Sequence, residues 1–258
     1  MKPIPVTSSR LQRVLLELAV VDGELSQIQF ADKLGELISL SDAIVLAESL
    51  RGLKKKPFTA ADSSDNANTV FLQARAEMLG FIVNSFVLEG DDAPAGGVSS
   101  FILPRPNRDT LDDPNAGFVA YQRFYSLHQS EMDHRVVTLQ RQLQHIMAGR
   151  SPELAQLAAL DSSMADTMAD FSRRVFAGIP HLLAKRFYSL NQQYRQERLN
   201  DGATSSVADD ASLWLKKDGW LDRFIREMQA VLLAELELRL MPVIGMLEAL
   251  EFEVEKTQ

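Results

Sequence analysis

At 258 residues, with 46% hydrophobic and 24% charged content, the chain is long enough to fill one large core or two small ones and has the charge density of an ordinary soluble protein. Its net charge of −8 argues against a surface given over wholly to nucleic acid. The absence of cysteine removes disulfides, thiolate nucleophiles, Fe–S clusters and cysteine-ligated zinc, and suits a cytoplasmic setting.

Residues 1–89 read as an N-terminal helical region. Ser9 to Val21 is amphipathic, with Glu17 interrupting the apolar run, so an ordinary helix is expected there rather than a signal peptide. Ser26 with Gln29 has capping-box spacing and opens a second helix to Ser39, and Ser39 or Ser41 caps a third from Asp42 to Leu53. Lys54-Lys55-Lys56-Pro57 closes that group as a positive helix end. Thr59 to Asn68 is polar loop, and Asn68 or Thr69 begins an apolar helix through Val87, expected to be the most buried of the fold.

Residues 90–114 form a Pro/Gly-rich loop, partly anchored by Phe101, Ile102 and Leu103. Residues 115–200 are almost all helix formers, broken at Gly149-Arg150-Ser151-Pro152, and predict a long antiparallel helical hairpin of coiled-coil character. Its first arm carries Phe118, Tyr121, Tyr125, His128, Met132, Val136, Leu139, Leu143 and Ile146 at steps of three and four, with a stutter at Met132 and Val136. The second arm carries Leu154, Leu157, Leu160, Met164, Met168, Phe171, Val175, Ile179, Leu182, Arg186, Leu190 and Tyr194. Ser151-Pro152-Glu153 is a sound helix start, whereas Gly178-Ile179-Pro180 should bend or interrupt the arm. The part of this arm around Phe187, Leu190 and Tyr194 overhangs the first and needs cover, from the final helix or from a partner.

Residues 201–258 comprise a linker and a C-terminal helix packing on the hairpin, capped by Asp218, kinked at Pro242 and continuing to about Glu255. Leu236-Glu237-Leu238-Arg239-Leu240 alternates like a strand, but these are helix formers within a helical pattern, so helix is expected. The fold class is therefore all-α. No uncharged apolar run approaches the roughly 20 residues of a transmembrane helix.

Chemistry-bearing patterns are sparse. Glu131-x-x-His134 has the spacing of carboxylate-bridged di-metal bundles, yet no second copy exists, so neither a metal nor another cofactor is expected. His128 lies on the apolar stripe and should be a packed, hydrogen-bonded histidine; His145 and His181 receive no role. Asp161, Asp166 and Asp170 read as a solvated face. No phosphate-binding loop, nucleophile elbow or zincin motif is present, which points away from an enzyme. Arg173, Arg174, Lys185, Arg186, Arg195 and Arg198, with Tyr188 and Tyr194 interleaved, make the second arm basic, and these cations together with Phe187 and Tyr194 form the candidate interaction surface. The glutamates from Glu235 to Glu255 supply an acidic complement within the chain.

The segments Ser151 to Asp161, Ile179 to Phe187 and above all Trp220 to Val243 resemble an uncharacterised proteobacterial family, domain of unknown function number three-three-four-eight, across most of the chain. The resemblance implies no catalytic residues. Because members of that family are encoded beside membrane and envelope proteins, it implies a cytoplasmic accessory of a bacterial cell-envelope complex. The expected function is a non-enzymatic helical scaffold or adaptor engaging a protein partner or a second copy. The alternative is a binder of nucleic acid or anionic lipid through the basic arm, which the negative net charge disfavours.

Overall fold

The computed structural model describes residues 10–19, 47–48, 51–52, 58, 66–87, 101–106, 114–200 and 214–257. The helices expected at Ser26–Ser39 and Asp42–Leu53, the triple lysine and the linker after Asn200 lie outside the described residues or almost so. The fold is all-α, with no strand among the described residues. In chain order the helices are α1 (Arg10–Ala19), α2 (Ala67–Ser85), α3 (Pro114–Arg150), α4 (Pro152–Ala177), α5 (Ile179–Asn200), α6 (Trp220–Arg239) and α7 (Met241–Thr257). Among the described residues no helix is long and apolar enough to cross a membrane.

Local chemistry sets the helix ends. Asn66 caps α2, its side-chain oxygen accepting from the Asn68 N–H at 3.0 Å. Ser151 does the same for α4, accepting from the Leu154 N–H at 3.2 Å, with Pro152 in the first turn where no donor is needed. Helical geometry is lost at Gly178, between α4 and α5, and again at Leu240, between α6 and α7. Pro180 and Pro242 then each occupy the second position of the new helix. The cap of α6 differs from expectation. Gly219 holds that position, its carbonyl accepting from Arg223 N–H at 2.9 Å, while Asp218 stands one residue earlier with φ of 69°. Asp222 reaches back from the first turn, its carboxylate accepting from the Asp218 N–H at 3.1 Å, which fixes the turn that leads into the helix.

The chain divides into two compact units built from interleaved stretches. The first comprises residues 1–23, 78–132 and 178–238. In it α1 packs on α5, and Arg10 pairs with Glu237 at 2.6 Å. The start of α3, with α5 and α6, surrounds a core of Phe118, Tyr121, Tyr125, Phe187, Phe224, Met228 and Leu232, all nearly or fully buried. Each such side chain contributes about 1.5–3 kcal/mol through burial. The segment 101–106 is seated there by Leu103, which is buried, and by the Tyr121 hydroxyl, which donates to the Pro104 carbonyl at 3.0 Å. Burial pushes the Tyr121 pKa up, so the hydroxyl keeps that proton.

The second unit comprises residues 24–77, 133–177 and 239–258. The end of α3 runs beside α4 here: Gln140 and Gln144, one turn apart, both donate to Asp161 Oδ2 at 2.8 Å. Helix α7 packs on α4, and Asn68 of α2 donates to Glu251 of α7 at 3.0 Å. Arg239 pairs with Asp133 at 2.6 Å and lies over the Phe176 ring, 3.9 Å from its centroid.

All nine stripe positions of the first arm, from Phe118 to Ile146, are buried. The expectation for α2 needs correction. Only Met78, Phe81, Ile82 and Ser85 are buried in it, whereas α6, of nearly the same length, buries ten residues. Helix α2 is apolar nearly all round, but only one side meets other helices, so Leu72 and Val83 stay in water.

Candidate functional site

The eight residues expected to form one interaction surface are distributed differently. Arg173 and Arg174 belong to the second unit and are exposed on α4; both turn to Asp170, the first to its carboxylate and the second to its carbonyl. The other six belong to α5 in the first unit. Lys185 and Arg195 are exposed and Arg198 is half-buried.

Arg186 and Phe187 are core residues. Arg186 is 8% exposed and makes a two-pronged contact with Glu227 of α6, Nε and Nη2 donating at 2.7 and 2.6 Å. The carboxylate raises the guanidinium pKa above its usual value against the opposing effect of desolvation. Glu227 also accepts from Arg223 at 3.0 Å, so one acid bridges two arginines. The physical reason Arg186 turns inward is its register: it stands on the apolar line of Ile179, Leu183 and Leu190, and α6 presents an acid at that level.

Phe187 packs edge-on against Trp220 and Phe224 at 5.2 and 5.1 Å between centroids, and Tyr194 lies 6.4 Å from both Trp214 and Trp220. The part of the second arm that needed cover therefore receives it from α6 and Trp214 within the same unit.

That aromatic cluster borders a cleft of about 370 Å³ counted out to its open mouth. Tyr121, Phe187, Trp214 and Trp220 supply its walls, Asn191 one polar edge, and Arg105 and Pro106 its rim. Trp220 Nε1 is buried without an acceptor. The sequence reading missed this site because its residues come from the segment 101–106, α3, α5, the turn before α6 and the start of α6, which folding alone brings together.

The second feature is on α4. Leu154, Ala158 and Phe176 are buried, but Leu157, Met164 and Val175 are 40%, 47% and 41% exposed. The expected continuous buried stripe of the second arm is thus open along α4. Steps of seven and eleven residues return to within about 20° of one line on a helix, so these three side chains form a single row.

Two buried polar groups complete the first unit. Glu235 is fully buried, accepting from the Tyr125 hydroxyl at 2.7 Å and from Gln129 Nε2 at 3.0 Å. His128 is fully buried among Phe81, Phe86, Phe101 and Phe124, with its Nδ1 2.9 Å from the Phe124 carbonyl. A carbonyl only accepts, so Nδ1 carries the proton and Nε2 is left as an unpaired acceptor. Burial lowers the His128 pKa, and the backbone bond opposes that shift. Glu131 is half-buried and His134 exposed, and no group of three or more His, Asp or Glu able to hold a metal occurs among the described residues.

No curated protein and no solved structure matches the chain. A family model does, over residues 2–252, and on that match the chain belongs to the family described as Protein of unknown function (DUF3348).

Proposed function

We propose that the protein is a non-enzymatic helical scaffold that associates with a second copy of itself through α4. The observation that carries this reading is the row Leu157, Met164 and Val175, which leaves apolar side chains in water along a helix whose middle contributes no buried residue between Ala158 and Phe176 among those described. Charge favours a second α4 running antiparallel. Glu153 begins the helix and Arg174 ends it, so a two-fold pairing about Met164 sets each acid toward the other copy's arginine. The basic-helix alternative draws less support, because its central cation, Arg186, is turned onto Glu227 in the core.

Sedimentation velocity tests the proposal. The parent is expected to be dimeric at about 100 µM and Met164→Glu monomeric with unchanged helical circular dichroism, since a charge on that row must be desolvated on pairing. A parent that stays monomeric at that concentration sinks the reading.

A further inference from the structure

Within the first unit, His128 of α3 sits in a ring cluster that a non-helical stretch helps to close. Phe124 stands one turn earlier on the same helix, Phe81 belongs to α2, Phe86 follows the end of α2, and Phe101 opens the segment 101–106. The Phe101 ring meets the imidazole edge-on at 5.1 Å and the Phe81 ring edge-on at 5.4 Å between centroids. Phe81, Phe86 and Phe124 are buried, whereas Phe101 is half-buried and its neighbour Ile102 is 76% exposed.

The cluster tolerates the imidazole only while it is neutral. Nδ1 donates to the Phe124 carbonyl, and Nε2 is a buried acceptor without a partner. A second ring proton makes Nε2 a donor and puts a full charge among four phenyl rings, none of which carries a lone pair to receive it. Attraction of the cation to ring faces offsets part of that cost but supplies no acceptor. Charged groups give no relief. α2 has no charged residue from Met78 to Ser85, and α3 has none but His128 between Arg123, which is exposed, and Glu131, which is half-buried. The segment carries Arg105, a like charge, and Glu235 of α6 already accepts from Tyr125 and Gln129. Burial, opposed by the Phe124 carbonyl, sets the titration of His128 and lowers its pKa.

The segment is the part that yields most easily. Phe124 shares a helix with His128, and withdrawing Phe81 or Phe86 means displacing the end of α2. The segment 101–106 has no helix to break; it is seated by Phe101, by Leu103 and by the Tyr121 hydroxyl donating to the Pro104 carbonyl. We infer that His128 is a pH-sensitive latch for the segment 101–106: the neutral imidazole keeps Phe101 in the cluster, and a second ring proton drives the segment away so that water reaches Nε2. The latch acts below pH 6.5, the ordinary imidazole value, because the open form takes up the proton there and the closed form only at lower pH. It shares no residue with the α4 row and does not depend on association.

The chain has no cysteine, so a nitroxide on Ile102→Cys labels the full chain at one exposed position beside Phe101. Its electron paramagnetic resonance spectrum is expected to gain a more mobile component below pH 6.5. The ratio of mobile to immobile label should rise by up to about tenfold per pH unit, as uptake of one proton requires, while helical circular dichroism stays constant. His128→Leu is expected to abolish the mobile component. Tyr121→Phe, which removes the bond to Pro104, should raise the pH of half-release by about half a unit to one unit, and decides the matter if His128→Leu does not fold. Absence of a mobile component down to about pH 5 overturns the inference. So does the same response in a folded His128→Leu, a half-release unmoved by Tyr121→Phe, or mobility that appears only together with loss of helix, which is global unfolding.

Discussion

The Tyr125 hydroxyl donates to Glu235 Oε2 at 2.7 Å across a sequence separation of 110 residues, and neither residue has any exposed surface. This single contact ties the start of α3 to α6 in the centre of the first unit. Tyr125→Phe leaves the ring packing intact but removes one donor from a buried carboxyl group, and should lower unfolding free energy by about 1–3 kcal/mol. Urea denaturation measures it; a change within experimental error would show that Gln129 and the remaining surroundings satisfy Glu235 alone.

The Arg186–Glu227 pair should behave asymmetrically. Replacing one member, as in Glu227→Leu, strands the other charge and is expected to cost about 3–5 kcal/mol, whereas Arg186→Met with Glu227→Leu should recover most of that loss. A double-mutant cycle by chemical denaturation checks this. Additive losses would mean that the two charges are not coupled.

His128 predicts a pH dependence with a definite sign. Its folded pKa lies below the ordinary 6.5, so the unfolded chain binds the proton more readily. The stabilisation is fully present above the unfolded value and is lost as pH falls through 6.5 toward the lower folded pKa. Between about pH 7.5 and about pH 5.5 the parent should lose more stability than His128→Leu, which cannot take up the proton. The other three histidines are exposed and common to both proteins, so the difference between the two curves isolates His128. Parallel curves would refute the shift.

Phe187→Ala should destabilise by about 3–5 kcal/mol, the usual loss for a truncated core aromatic, and should leave the sedimentation behaviour of whatever remains folded unchanged. A stable variant with altered association would return Phe187 to the surface role first expected of it.

The sequence disclosed the helices far better than it disclosed their neighbours. The nine-residue stripe from Phe118 to Ile146 is buried throughout because a 3.6-residue period reports a face directly. The same reasoning applied to Leu157, Met164 and Val175 expected burial and met exposure, since periodicity says which side of a helix is apolar and nothing of what lies opposite. Arg186 and Glu235 were grouped by charge with surface residues. Their register told otherwise: Glu235 follows Met228 by two turns and falls on the buried side of α6, and Arg186 falls on that of α5. The aromatic cleft had no linear signature, because Arg105, Tyr121, Asn191 and Trp214 are joined only by folding.

The amides of Gln140 and Gln144 hold one oxygen of Asp161 from successive turns of α3. A neutral amide is not screened by mobile ions as an exposed ion pair is, so raising the ionic strength should weaken Arg10–Glu237 while leaving this contact intact. It also discriminates between alignments. Sliding α4 by one turn along α3 would leave Asp161 facing only one of its two donors, so the contact selects a single alignment of the two helices where uniform leucine packing would accept several.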